Sequence, residues 1–348
     1  MKNIGVIGIG QISRNYLNNL TGMFGKRVKL IGVADIIYER AEKAAGDYGI
    51  KAFRSINEML QSDEIDIILN ITPPKEHFEI ALAAINAGKH VYNEKPICIK
   101  REEAAQLLDT AAKKGVRVGG APDTFLGAGI QTCRKLINDG CIGTPVAANA
   151  FMMTRGPEDF HPAPDFFYKE GGGPMFDMGP YYITALVYLL GPVARVSGSA
   201  RISMPERTIT NNVNPGAKIQ VEVPTHIVSV FDFAAGPVGT LVTSFDVCSH
   251  SMPCIEIYGT NGTMKVPDPN KFGGPVFLRS FPGESWDEIP LVEGYSESSR
   301  GLGITDMAEA IEENRPHLTS GKLAFHVLDI MHGVHDASTS GKYYNIKY

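Results

Sequence analysis

Along residues 1–120, short apolar, β-branched runs alternate with segments whose apolar positions recur every three or four residues. The runs cover residues 3–9, 28–34, 65–71, 90–93 and 116–119; the periodic segments between them cover 12–20, 38–48, 76–87 and 102–113. A period near 3.6 predicts amphipathic helices, and unbroken β-branched runs predict strands buried on both faces. Their alternation predicts βαβ units wound right-handed around a parallel sheet. Gly88 and Gly115 stand where two of these helices need a C-cap.

Past residue 125 the rhythm changes. A helical segment (129–138) and a strand-like run (146–154) precede an irregular Pro/Gly-rich stretch, 155–174, and a helix over 174–190. Strand-like runs then dominate, at 194–202, 226–234, 238–245 and 255–258, before two closing helices at 304–313 and 322–338. Thr260-Asn261-Gly262-Thr263 predicts a hairpin turn, because Asn-Gly supplies positive φ angles. The chain therefore divides into an α/β domain with a parallel sheet over residues 1–122 and an α+β domain with a large, mostly antiparallel sheet over 123–348. In the runs 226–234 and 238–245 both alternating sets of residues contain apolar or β-branched members. One face must pack on its own helices, and the other is expected to be covered by a second copy of the chain.

Composition narrows the picture further. A chain of 348 residues accommodates two such domains, and a net charge of −5 does not favour a polyanionic partner such as nucleic acid. The longest apolar helix-like run, 183–190, is far short of the ~20 residues that span a bilayer. No basic leader precedes the first strand, and the five cysteines are scattered without a Cys-x-x-Cys pair. Reduced thiols in the cytoplasm are the expectation.

Gly8-Ile9-Gly10-Gln11-Ile12-Ser13 follows the first strand and opens the first helix. Gly8 permits a tight turn, Gly10 lets a pyrophosphate approach the backbone, and Gln11 and Ile12 open the helix whose N–H groups would meet the phosphates. Ser13 replaces the third glycine of this fingerprint, which predicts slightly looser helix–strand packing. Asp35, ending the second strand, is placed to accept hydrogen bonds from an adenosine ribose. Its charge repels a 2′-phosphate, so NAD is expected in preference to NADP, although Arg40 on the next helix tempers that preference. These features predict an N-terminal Rossmann domain.

The sequence resembles the glucose–fructose oxidoreductase/inositol dehydrogenase/MocA family over nearly its whole length. The resemblance rests on the glycine loop, Thr72-Pro73-Pro74 with His77, Glu94-Lys95-Pro96, and Gly171-Gly172-Gly173 leading to Asp177-Met178-Gly179-Pro180-Tyr181. It implies a nicotinamide-dependent oxidoreductase acting on a secondary alcohol or ketone of a sugar, glycoside or inositol-like polyol, assembled as a homodimer or homotetramer. It also implies that Thr72, Pro73, His77 and Glu94 sit by the cofactor, and that Lys95 touches both cofactor and substrate and polarises the reacting oxygen. Asp177 and Tyr181, four apart on a predicted helix, share a face; the resemblance gives Tyr181 the proton transfer. Family members often carry an aspartate where Thr184 stands here. Asp123, Thr124, His161, Asp165 and Tyr168 fall in segments that reach the substrate in this family.

Two other classes share these features: a non-catalytic, dinucleotide-responsive regulator, and a glycosidase working by transient oxidation with retained NAD. Lys95 with the Asp177/Tyr181 pair argues against the regulator. His332 and His335 are spaced to chelate zinc, but no cysteine lies nearby and hydride transfer needs no metal, so no metal site is expected.

Overall fold

The computed structural model describes residues 1–283 and 285–347. The chain forms two compact units, one of Met1–Asp123 with Ser298–Leu328, the other of Thr124–Glu297 with the chain from Asp329 onward.

The first unit runs β1 (Asn3–Ile7), α1 (Ser13–Thr21), β2 (Lys29–Ala34), α2 (Tyr38–Tyr48), β3 (Lys51–Ala52), α3 (Ile56–Gln61), β4 (Ile67–Asn70), α4 (His77–Asn86), β5 (His90–Asn93), α5 (Arg101–Lys114) and β6 (Val118–Gly120). The strands pair in parallel in the order β3-β2-β1-β4-β5-β6. Strand order reverses between β1 and β4, the switch point outside which ligands of such sheets gather. Ile4, Val6, Ile67, Ile68 and Leu69 are buried, which is why these strands read as unbroken apolar runs. The pattern missed β3 and α3, both short. A signal for α3 was present in Ser55-x-x-Glu58: the Ser55 hydroxyl accepts from Glu58 N, and the Glu58 carboxylate accepts from Arg54 N.

Ser298–Leu328 belongs to this unit and not to the second half of the chain. The reason is a set of long-range bonds. The Asp123 carboxylate accepts from Gly301 N (2.9 Å) and Gly303 N (3.1 Å), and Arg27 pairs with Glu309 on the helix Leu302–Glu312.

The second unit contains α6 (Ala128–Asn138), β7 (Pro145–Met153), α7 (Gly173–Asp177), α8 (Gly179–Leu190), β8 (Val193–Arg201), β9 (Glu206–Thr208), β10 (Lys218–Gln220), β11 (His226–Phe233), β12 (Val238–Ser244), β13 (Ile255–Gly259), β14 (Gly262–Val266), β15 (Val276–Ser280), β16 (Asp287–Ile289) and β17 (Tyr344–Asn345). Its large sheet has the order β16-β15-β14-β13-β7-β12-β11-β8-β17. Only the central β7–β12 pair is parallel. β9 and β10 pair separately. One face of the sheet buries Ile227, Phe231, Leu241, Ile255 and Ile257, whereas Val228 and Val238 on alternate positions remain 40% and 46% exposed. A last helix, Gly321–Ser340, falls in the first unit as far as Leu328 and in the second beyond it.

Two local expectations are corrected. The single helix over 174–190 is two, α7 and α8, divided at Met178. Pro180 has no N–H to give to Phe176, and a proline ring clashes with the carbonyl four residues back, so one continuous helix cannot pass. The β13–β14 hairpin exists, joined by Thr260 and Asn261. However, neither Asn261 nor Gly262 is among the positive-φ residues described. Gly262 serves another purpose: a Cβ there would lie 2.8 Å from the Arg279 carbonyl oxygen of β15. Among the described residues no helix is long and apolar enough to cross a membrane.

Candidate active site

In the first unit, β1 ends at Ile7 and the chain turns at Gly8, whose φ is +98°. A Cβ at Gly8 would sit 2.9 Å from the Thr72 amide nitrogen, so the turn and the neighbouring loop admit only glycine. At Gly10 a Cβ would meet nothing within 4 Å, leaving open space over the loop. Gln11 is exposed and Ile12 half-buried just before α1, whose positive end favours an anion. Ser13 stands where the fingerprint has its third glycine. It is buried, and its hydroxyl donates to Gly10 O at 2.6 Å. The Asp35 carboxylate accepts from Ile9 N (2.6 Å) and Ile37 N (2.8 Å), retaining lone pairs for a ribose hydroxyl. Arg40 is exposed. This loop, helix end and carboxylate fit a dinucleotide.

The ends of β4 and β5 carry a buried polar network. Thr72 Oγ1 donates to Asn70 Oδ1, and Asn70 Nδ2 donates to Asn93 Oδ1. Asn93 Nδ2 in turn donates to Ile97 O at 2.8 Å. Pro73 is exposed, while His77 is fully buried with its ring nitrogens 2.7 Å from Pro96 O and 2.9 Å from Thr72 O. Burial holds the His77 pKa below its ordinary value despite those two carbonyls, and a neutral ring donates to only one of them. Glu94 is buried: Tyr16 Oη donates to one carboxylate oxygen at 2.7 Å, and Lys95 N donates to the other at 2.8 Å. Lys95 itself is half-buried. Thus Thr72, His77, Glu94 and Lys95 are brought together around one turn.

Asp123 lies close enough to Glu94 and Tyr16 for their charges to interact. It is wholly buried, its carboxylate holds the Gly301 and Gly303 amides, and burial raises its pKa. Thr124, the first residue of the second unit, is buried as well.

In the second unit, Gly171 and Gly173 have φ near +80°, and a Cβ at Gly172 would lie 2.6 Å from Phe166 O. The glycine run therefore answers to local backbone geometry. Asp177 is half-buried at the end of α7, and Tyr181 is 5% exposed in the first turn of α8. The break at Met178 means that these two residues do not share one continuous helix, although Tyr181 N still donates to Met178 O at 3.1 Å. Tyr182 is buried with its hydroxyl on the Cys254 thiol, and burial pushes its pKa up. Thr184 is buried. His161 is half-buried, accepts from Ala163 N, and stands edge-on to Phe166 and Phe167; Asp165 is exposed. Phe176, beside Asp177, packs against the rings of His332 and His335. Among the described residues no group of three His, Cys, Asp or Glu is placed to hold a metal ion.

Two sets of residues escaped sequence reasoning. Tyr16, Asn70 and Asn93 read as core or strand-end positions. Arg207 of β9 is buried, pairs with Glu158 and Asp246, and donates to the carbonyls of Arg155 and Phe245. That hub fixes the segment preceding His161. Tyr168 packs beside it, its pKa pushed up by burial and by Glu158.

By fold and loop geometry, the first unit is a dinucleotide-binding domain of the oxidoreductase type. The chain belongs to the Gfo/Idh/MocA oxidoreductase family: residues 2–121 match its NAD-binding Rossmann fold and residues 130–265 its C-terminal domain. It is an NAD-binding oxidoreductase. It is 27% identical over 291 residues to inositol 2-dehydrogenase 3 of Saccharopolyspora erythraea, covering 78% of this chain and 75% of that protein. It is 27% identical over 296 residues to 1,5-anhydro-D-fructose reductase of Ensifer adhaerens, covering 84% and 83%. In fold it is similar to levoglucosan dehydrogenase solved with NADH and L-sorbose, with a TM-score of 0.86, 19% identity, and 100% and 99% of the two chains covered.

Proposed function

We propose that the protein reversibly oxidises a secondary alcohol of a sugar, glycoside or inositol-like polyol, with NAD preferred to NADP. The observation that carries this reading is the turn at Lys95, held from below by buried hydrogen bonds beside the glycine loop that fits the dinucleotide. Bound NAD supplies the hydride acceptor, or as NADH the donor. Lys95 orients and polarises the reacting oxygen. Tyr181 exchanges its proton, and Asp177 binds the substrate. Such acid–base assistance contributes typically ~10²–10⁴ in rate. The inositol and anhydro-sugar relatives support the polyol class. Asp35 supports the choice of NAD, since its carboxylate opposes a 2′-phosphate.

A cytoplasmic setting is supported by five cysteines without a disulfide among them. A homodimer or homotetramer is supported by the exposed Val228 and Val238, which share one face of the large sheet. The deciding experiment is a screen of inositols, pyranosides, anhydro-sugars and keto-sugars with NAD, NADH, NADP and NADPH, followed at the absorbance of the reduced cofactor. The reading fails if none of these substrates turns over with either cofactor.

A further inference from the structure

We propose that Tyr16 is a positioning residue for Lys95, acting through the Glu94 carboxylate. The inference rests on the assignment of Lys95 made above. Tyr16 lies on α1, the helix opened by the glycine loop, and its side chain has no exposed surface. Its hydroxyl donates to one oxygen of Glu94 at 2.7 Å, and the other oxygen accepts the Lys95 amide at 2.8 Å. A carboxylate is planar, so fixing one oxygen fixes the other. Both bonds are charge-assisted and short, the kind that sets geometry as well as energy.

As a plain core aromatic, Tyr16 would need no hydroxyl, because phenylalanine fills the same space. A carboxylate buried beneath the turn is also costly unless it is fully hydrogen-bonded. Its presence is explained by what it holds. Burial first, then the Glu94 charge, keeps the Tyr16 pKa far above its ordinary value, so the hydroxyl remains a donor throughout the working range. The next two residues are pinned as well, Pro96 O by the His77 ring and Ile97 O by Asn93. The backbone of three successive residues is therefore held from below, and Tyr16 ties it to the helix on which the dinucleotide phosphates are expected. A misplacement of about 1 Å in a reacting group can cost ~10² in rate.

The test uses Tyr16→Phe, Lys95→Ala and the double variant in the full-length protein. Hydrogen exchange at the Lys95 amide needs no substrate. It is expected to speed up at least tenfold in Tyr16→Phe, with NADH affinity by fluorescence within a factor of two of wild type. With the substrate giving the fastest NADH formation in the screen above, single-turnover hydride transfer is expected to slow ~10–100-fold in Tyr16→Phe. On the Lys95→Ala background Tyr16→Phe should cost nothing further, because the hydroxyl acts only through that lysine. A merely structural role would instead add its cost to that of Lys95→Ala.

Wild-type exchange at Lys95, a wild-type transfer rate, or additive losses would each overturn the role of Tyr16. Lys95→Ala turning over at the wild-type rate would overturn the lysine assignment itself, a distinct result. Should Tyr16→Phe fail to fold, Glu94→Asp makes the same comparison. It keeps the charge but is one methylene too short to span both donors, and the same non-additive loss is expected.

Discussion

Replacing Asp35 by serine tests more than cofactor choice. Asp35 is 8% exposed, and its two carboxylate oxygens each accept a backbone amide, from Ile9 in the glycine loop and from Ile37 before α2. Hydrogen bonds to a charged acceptor contribute roughly 1.5–3 kcal/mol each. A neutral serine hydroxyl replaces at most one of them, more weakly, so Asp35→Ser should cost roughly 2 kcal/mol of loop bracing. For a domain of this size that corresponds to a fall in melting temperature of about 4–8 °C without cofactor. The glycine loop would be less well held, and NADH affinity should drop ~10–30-fold, since about 1.4 kcal/mol is a factor of ten. Repulsion of a 2′-phosphate disappears at the same time, so the NADPH-to-NADH affinity ratio should rise at least tenfold. The variant is therefore expected to switch preference while binding both cofactors modestly. Asp35→Asn is the companion: it keeps the shape and one acceptor oxygen, and should retain more stability while losing the charge. Fluorescence titrations with both reduced cofactors, alongside melting curves of the cofactor-free proteins, decide the matter. Unchanged melting together with unchanged NADH affinity in Asp35→Ser would refute the bracing role. Tighter binding of NADPH than NADH by the wild type would refute the specificity role.

Four further outcomes are expected. Lys95→Ala should lose ~10²–10⁴ of turnover with NADH affinity nearly intact, measured by steady-state rates and titration. Tyr181→Phe should cost far more activity than Tyr182→Phe, whereas Tyr182→Phe should cost more stability, because its hydroxyl is engaged with Cys254; rates and melting curves of both variants separate the two effects. Arg207→Met should destabilise the second unit by about 3–5 kcal/mol in denaturant unfolding, since it leaves the buried Glu158 and Asp246 carboxylates uncompensated. The His90 ring accepts Arg117 N, and burial holds its pKa down to about 4. The unfolded chain therefore binds that proton first, stability should fall as pH drops from about 6.5 towards 4, and His90→Gln should flatten that slope in denaturant titrations.

The first unit was legible because its signals are local. A parallel sheet buries both faces, so each long strand is a contiguous apolar word, and helices between strands show their period within a dozen residues. Where elements were two to six residues long, as at Lys51–Ala52 and Ile56–Gln61, no period can build up and only the Ser55/Glu58 cap could have spoken. Residues 298–328 pack with the first unit through contacts no local pattern announces, such as the Asp123 carboxylate accepting two glycine amides far along the chain and Arg27 pairing with Glu309. In the second unit the alternation of the large sheet was visible, yet the short edge pieces β15 to β17 were not.

For the site, motif spacing singled out residues expected to face a ligand and passed over those that hold their backbone. Gly8, Gly10, Asp35 and Lys95 sit in stretches whose composition is strange for a loop, and strangeness is readable. Tyr16 has the spacing of an ordinary core residue, four before Leu20, and Asn70 and Asn93 look like polar strand ends. Only the paired strands reveal that the two asparagines stand side by side, in register on β4 and β5. Asp123 and His77 show the converse. Each was expected to contact a ligand; in the fold the Asp123 carboxylate accepts two backbone amides, and the His77 ring lies between two backbone carbonyls, to one of which it donates. A polar residue in a sequence announces that it needs a partner; whether that partner is a substrate or the chain itself is decided by burial, which emerges only with the fold. The same distinction orders the substitutions. Lys95 and Tyr181, proposed to touch the reacting oxygen, should change rate alone, a residue that holds them should change rate and local exchange together, and a hub such as Arg207 should change stability first.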